Sequence, residues 1–343
     1  MRVTNLFLFS ALVFAQSDPL VQGLEAFHKG DYAQAERSFR ASLKGGNPSD
    51  VGRARTFLAL TLAATNRCSE AEPALIQAGA GANADIQRLA GLALVQCDIT
   101  SNRLDDAAAV LNKLKASYPA DADVMYQTAR LHMSAWNDAI RQLYEKAPAS
   151  FRVNQLSGEI LETQGQFAEA AIEYRKAIAK NPQALNLHFR LARAILMGSH
   201  TPESLESAMQ ELDAELALNP NDSVALYQAA QIYLNQQKPQ QATASLQRAL
   251  ELNPSFPEAL IALGKLRMDE KKFSDAVALL QKAVNLMPKS EAAHYSLMMA
   301  YRNAGRMADA KREKAELDKL QKPPEGEFTE FLNKLGEKPA SQK

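Results

Sequence analysis

Small and large apolar residues return at a fixed step through the second half of the sequence. Ala208, Ala242, Ala276 and Ala310 form one column, Leu212, Leu246 and Leu280 a second, and Ala249 and Ala283 a third. Pro220, Pro254 and Pro288 close successive segments 34 residues apart. Several columns held at one step cannot come from chance in an alanine-rich chain, and they predict a helical pair repeated along the sequence. Small residues such as Gly264 and Ala276 let two antiparallel helices approach, while Leu280 fills the space beside them. The closing proline cannot donate to a helical ladder and pushes the residue before it out of helical geometry, so the chain turns there and starts again.

Counted from Ser223, one such unit carries Leu226, Ala229, Ala230, Tyr233, Ala242, Leu246, Ala249 and Pro254. The next carries Leu260, Leu263, Gly264, Arg267, Ala276, Leu280, Ala283 and Pro288, with arginine where an aromatic is usual. This pattern resembles the tetratricopeptide repeat, a helix-turn-helix unit that stacks on copies of itself. The resemblance implies an all-α fold, a right-handed α-solenoid of about nine units.

Read in order, the first unit shows Gly23, Phe27, Gly30-Asp31-Tyr32, Ala35 and Phe39, and the second Leu58, Leu62, Ala71 and Leu75. A third runs from about Arg88 to Pro119. The fourth is the most degenerate: Met125, Ala129 and Met133 read as one helix and Trp136, Ile140, Leu143 and Tyr144 as another, ending at Pro148, with a single long bent helix as the rival reading. The fifth is regular again, with Gly158, Gly165, Ala170, Tyr174 and Pro182. In the sixth, four extra residues fall in Gly198 to Pro202 and lengthen the turn between helices. The ninth ends in a charge-dense helix from Lys311 to Lys322, as the polar outer face of an array end requires. Residues 16–150 are thus expected to hold degenerate units and 151–322 regular ones. In 323–343, Phe328, Phe331, Leu332 and Leu335 have the spacing of a short amphipathic helix that folds back on the last repeat or docks a partner.

Composition adds the compartment. Arg2 followed by an apolar run from Leu6 to Phe14 and by Val13-Phe14-Ala15 reads as a signal peptide cleaved after Ala15, which predicts export, periplasmic or secreted. No cysteine follows the run, which argues against a lipid anchor, and no later segment is apolar enough to span a membrane. Lys and Arg together number 39, as do Asp and Glu, so no net field draws the chain to nucleic acid or anionic lipid. In a stack of the family's kind, Cys68 and Cys97 would lie side by side at neighbouring helix ends. A disulfide is expected there, with two half-buried thiols as the alternative.

The sequence lacks a phosphate-binding loop, a His-Glu-x-x-His zinc motif, a Gly-x-Ser-x-Gly elbow and a recognisable Cys-His frame, so no enzyme, cofactor or metal is expected. His188 and His294 occupy the fourth position of their units and are assigned to packing. The resemblance places the second, fifth, ninth, twelfth and thirteenth positions of each unit on a concave groove. The fifth positions are Tyr126, Gln155, Phe189, Tyr227, Ile261 and Tyr295, and the ninth are Arg130, Glu159, Arg193, Gln231, Lys265 and Met299. Aromatic rings beside basic and amide groups suit a protein or peptide segment. The Lys and Asn pattern of the clamp that grips a chaperone's terminal carboxylate is missing from the last three units, where Tyr227, Gln231, Ala262, Ala292 and Ser296 stand. The expected function is an exported, non-enzymatic adaptor. The alternative is a regulatory or substrate-delivery subunit of an envelope enzyme, or a groove for glycan or lipid.

Overall fold

A computed structural model describes residues 18–45, 47–81 and 83–321. The expectations for the signal peptide and for Phe328, Phe331, Leu332 and Leu335 lie outside the described residues. Those described contain helices and turns and no strand. They form two compact units, divided between Lys146 and Ala147.

The first unit pairs α1 (Pro19–His28) with α2 (Tyr32–Gly45), α3 (Pro48–Ala64) with α4 (Cys68–Gly79), and α5 (Ala84–Thr100) with α6 (Leu104–Ser117). It ends on α7 (Ala122–Lys146). The second unit pairs α8 (Phe151–Thr163) with α9 (Phe167–Lys180), α10 (Leu187–Gly198) with α11 (Pro202–Leu218), and α12 (Ser223–Asn235) with α13 (Pro239–Leu252). The pairs α14 (Pro257–Asp269) with α15 (Phe273–Leu286) and α16 (Glu291–Asn303) with α17 (Met307–Gln321) complete it. Among the described residues, eight helical pairs and one long helix therefore stand where nine pairs were read from the sequence.

The fourth pair is the correction. Between Leu131 and Ala147 there is no glycine or proline, and the helix runs unbroken for 25 residues through the place where a turn was expected. Val124 and Leu131 are buried against α5 and α6, whereas Met133, Trp136 and Tyr144 stay exposed. Continuing the ladder keeps the interior backbone groups of this stretch hydrogen-bonded within the helix.

Elsewhere the turns explain the pairing. Gly30, Asn66, Asn102, Gly165, Gln237, Lys271 and Gly305 each adopt a left-handed backbone, with φ between 56° and 75°, just after the first helix of a pair. That conformation reverses the chain and returns N–H groups to the last carbonyls, as Gln166 N–H does to Leu161 O at 2.9 Å. The pair α10 and α11 departs from this. There Ser199 is extended, Thr201 Oγ1 caps α11 by accepting the Ser204 N–H, and Pro202 opens the helix.

The second helix of each regular pair buries a small residue and, four positions on, a large one. Ala170, Ala208, Ala242, Ala276 and Ala283 are fully buried, as are Tyr174, Leu212, Leu246 and Leu280. In the first unit Cys68 and Cys97 are joined as a disulfide, tying the start of α4 to the end of α5. Among the described residues no helix is long and apolar enough to cross a membrane.

Candidate functional site

Within the second unit, the first helices α8, α10, α12 and α14 bring groove positions together in three cavities. Gln155, Phe189 and Arg193 line a cavity of about 520 Å³ between α8 and α10, together with Phe151, Arg152, Leu185 and Arg190. Glu159 and Arg193 line an adjoining cavity of about 460 Å³ with Glu162 and Met197. Tyr227, Gln231, Ile261 and Lys265 line a third, of about 420 Å³, between α12 and α14.

The first cavity is held by a polar ladder. Arg152 Nη1 donates to Gln155 Oε1 at 2.6 Å, Gln155 Nε2 donates to Glu159 Oε1 at 2.9 Å, and Arg190 reaches the same carboxylate at 3.2 Å. Arg193 donates to Glu162 at 2.6 Å, a carboxylate that is largely buried. That hydrogen bond raises the Arg193 pKa, so the guanidinium stays cationic at any working pH. Burial pushes the Tyr174 phenol beneath this surface well above the ordinary tyrosine range, so it stays neutral.

The start of α10 is fixed from behind. The buried Glu215 carboxylate accepts the Asn186 N–H at 2.8 Å and the Phe189 N–H at 3.3 Å, so the positive end of this helix is already satisfied from within the repeat. Phe189 and Arg190 therefore leave a rigid platform.

The third cavity differs in charge. Tyr227 packs its ring 5.0 Å from that of Phe256, and burial raises its pKa. Glu258, Lys265 and Asp269 project into the same space, and none of the three takes part in an ion pair among the described residues.

The remaining groove positions are not gathered into these cavities. Tyr295 stands 53% exposed on α16, and Met299 is half-buried on the same helix. Tyr126, 62% exposed, and Arg130 lie on α7 in the first unit. Arg152, Glu162, Glu258 and Asp269 do line cavities, although only fifth and ninth positions were assigned from the sequence. They occupy second, twelfth and thirteenth positions, and carrying those columns over as well would have found them.

His188 and His294 sit inside their pairs. His188 Nδ1 lies 2.6 Å from Glu211, while His294 Nδ1 lies 2.5 Å from Glu313 and its Nε2 3.1 Å from Pro288 O. In the pair α8 and α9, Asn154 donates to Glu173 at 2.6 Å from the same two positions. Each is a polar tie between the first and second helix. Among the described residues no group of three or more His, Cys, Asp or Glu is placed to hold a metal ion.

The tetratricopeptide repeat family matches residues 20–87, 156–223 and 227–291, more than half of the chain. The chain belongs to this family. Its fold supports protein–protein interaction as a scaffold. Cellulose synthase operon protein C of Pseudomonas fluorescens (strain SBW25) is 26% identical over 170 residues, which cover 46% of this chain. The match spans 13% of that relative's length. MamA from Desulfovibrio magneticus RS-1 is 16% identical, with a TM-score of 0.46 over 51% of this chain and 97% of that one. YrrB, described as a TPR protein with an unusual peptide-binding site, is 17% identical, with a TM-score of 0.44 over 57% and 98%. At these scores neither structure bears on function.

Proposed function

We propose that this chain is a non-enzymatic adaptor that holds segments of partner proteins against the first-helix face of residues 147–321. The reading rests on one observation: Tyr227, Gln231, Ile261 and Lys265, two columns taken from two repeats, line one cavity. Rings and aliphatic side chains supply area that a partner can cover, and amide and charged groups at the rim fix its register. An affinity of about −8 kcal/mol, near micromolar, suits such a reversible scaffold.

The adaptor works outside the cytoplasm in this reading. The Cys68–Cys97 disulfide supports that placement, because such bonds persist in oxidising compartments. A mature N-terminus at Gln16, read by N-terminal sequencing of the recovered protein, is the expected result, and an intact Met1 in the exported fraction would count against it.

A photo-crosslinking residue placed at Lys265 or Phe189, compared with one at Arg248 on α13, tests the groove. Discrete partner adducts from the first two positions and none from the third are expected; equal adducts from all three would refute the reading. The partial identity to cellulose synthase operon protein C favours a second role, as an accessory subunit of an enzyme. Co-purification with a catalytic subunit whose turnover falls when this chain is removed would select that role.

A further inference from the structure

Two of the groove cavities of the second unit carry different charge, and the difference points to what each accepts. Around the cavity between α8 and α10 stand Arg152, Arg190 and Arg193, and no acidic residue lines it. Its apolar wall is Phe151, Leu185 and Phe189, with Leu185 55% exposed. Two of the arginines already meet Glu159 and Glu162, yet the balance is three guanidinium groups to two carboxylates. Among the described residues the Arg152 guanidinium bonds the neutral Gln155 and makes no ion pair, and it lies 4.5 Å over the Phe151 ring. A guanidinium that stacks on a ring and bonds an amide keeps donors for a planar anion. The helix N-terminus beside it is occupied by Glu215, so the arginines carry the attraction.

We infer that the α8–α10 cavity takes an acidic side chain of a partner protein segment, flanked by a large aliphatic or aromatic residue. The carboxylate meets Arg152 at the rim, and the neighbouring apolar side chain covers Leu185 and Phe189. The cavity between α12 and α14 rejects the same residue, because Glu258 and Asp269 face it with only Lys265 between them. An extended segment is therefore bound in one direction along the groove. This inference rests on the adaptor reading and narrows it to a charge and a polarity.

The test is selection of a displayed random dodecapeptide library on the immobilised full chain, repeated on Arg152→Glu and on Arg248→Glu. Both substituted side chains are exposed and are not buried in any pair, so folding is checked by far-UV circular dichroism alone. The expected result is enrichment of Asp or Glu next to Leu, Phe or Tyr on the unmodified chain. Peptides so selected, synthesised individually, should bind Arg152→Glu about tenfold more weakly by fluorescence anisotropy and Arg248→Glu, on α13 away from the groove, no more weakly than the unmodified chain. Enriched peptides without acidic bias, or acidic peptides that bind Arg152→Glu unchanged, would overturn the inference and leave the groove reading standing. No enrichment on any of the three chains would overturn both. Capture of phosphorylated or sulfated polysaccharide in place of the selected acidic peptides would also overturn it.

Discussion

The ring of Tyr174 occupies the space beside Gly158 so closely that a Cβ added to the glycine would lie 2.6 Å from Tyr174 Cε1. The same relation recurs between Gly264 and Leu280, at 2.6 Å from Cγ, and between Gly23 and Phe39, at 2.5 Å from Cε1. In each case the two residues are sixteen apart in sequence, one on each helix of a pair. The glycine is what lets the second helix seat its largest side chain. Gly158→Ala should therefore destabilise the second unit by about 1–3 kcal/mol through overpacking, because Tyr174 is fully buried and its ring cannot swing away. Urea unfolding followed by circular dichroism reads this as a lower midpoint, and an unchanged midpoint would show that the helices part freely.

This pairing was largely legible in the sequence. Gly264, Ala276 and Leu280 announced themselves because the same sterics act in every copy, so the columns survive substitutions elsewhere. The fourth repeat was not legible, since Met133, Trp136 and Ile140 keep helical spacing whether the chain turns between them or not. Leu131 to Ala147 hold no glycine or proline, but Asn66, Asn102, Gln237 and Lys271 turn other pairs without one, so the residue types alone do not separate the two readings. At the groove, the fifth and ninth columns led to Tyr227 and Lys265, but the charge contrast between cavities depended on Arg152, Glu258 and Asp269, which no apolar pattern marks.

The His294–Glu313 tie has a counterpart in the preceding pair, where Leu260 and Leu279 hold the same two positions. His294→Leu alone should cost about 1–3 kcal/mol, because the half-buried Glu313 is left without its partner. Adding Glu313→Leu should restore stability to within about 1 kcal/mol of the starting protein. A double-mutant cycle by thermal unfolding measures this, and additive losses would mean that the two side chains do not interact.

The Cys68–Cys97 bond closes a loop with a sequence separation of 29. Chain entropy assigns such a closure roughly 3–4 kcal/mol. Reduction, or Cys68→Ser with Cys97→Ser, should lower the unfolding temperature of the first unit, and thiol labelling of the unreduced protein should find no free thiol.

Acid should weaken the first unit through Asp121. Its carboxyl is held at about 2, first by the hydrogen bond from Arg88 and next by the Val124 N–H. The folded pKa thus lies below the ordinary aspartate value of about 4. The contribution is present in full above about pH 4 and is lost as pH falls through about 2. Asp121→Asn should flatten this part of the pH profile of unfolding, and an equally steep profile in the variant would assign the acid sensitivity elsewhere.

The turn from Ser199 to Pro202 has a practical consequence. With Thr201 capping α11 and Pro202 starting it, the added residues are accommodated inside the loop, and the columns resume undisturbed at Ala208 and Leu212. A reporter tag or a foreign recognition sequence spliced in after Gly198 would sit on an exposed tip and leave the stacking of α10 upon α11 as it is.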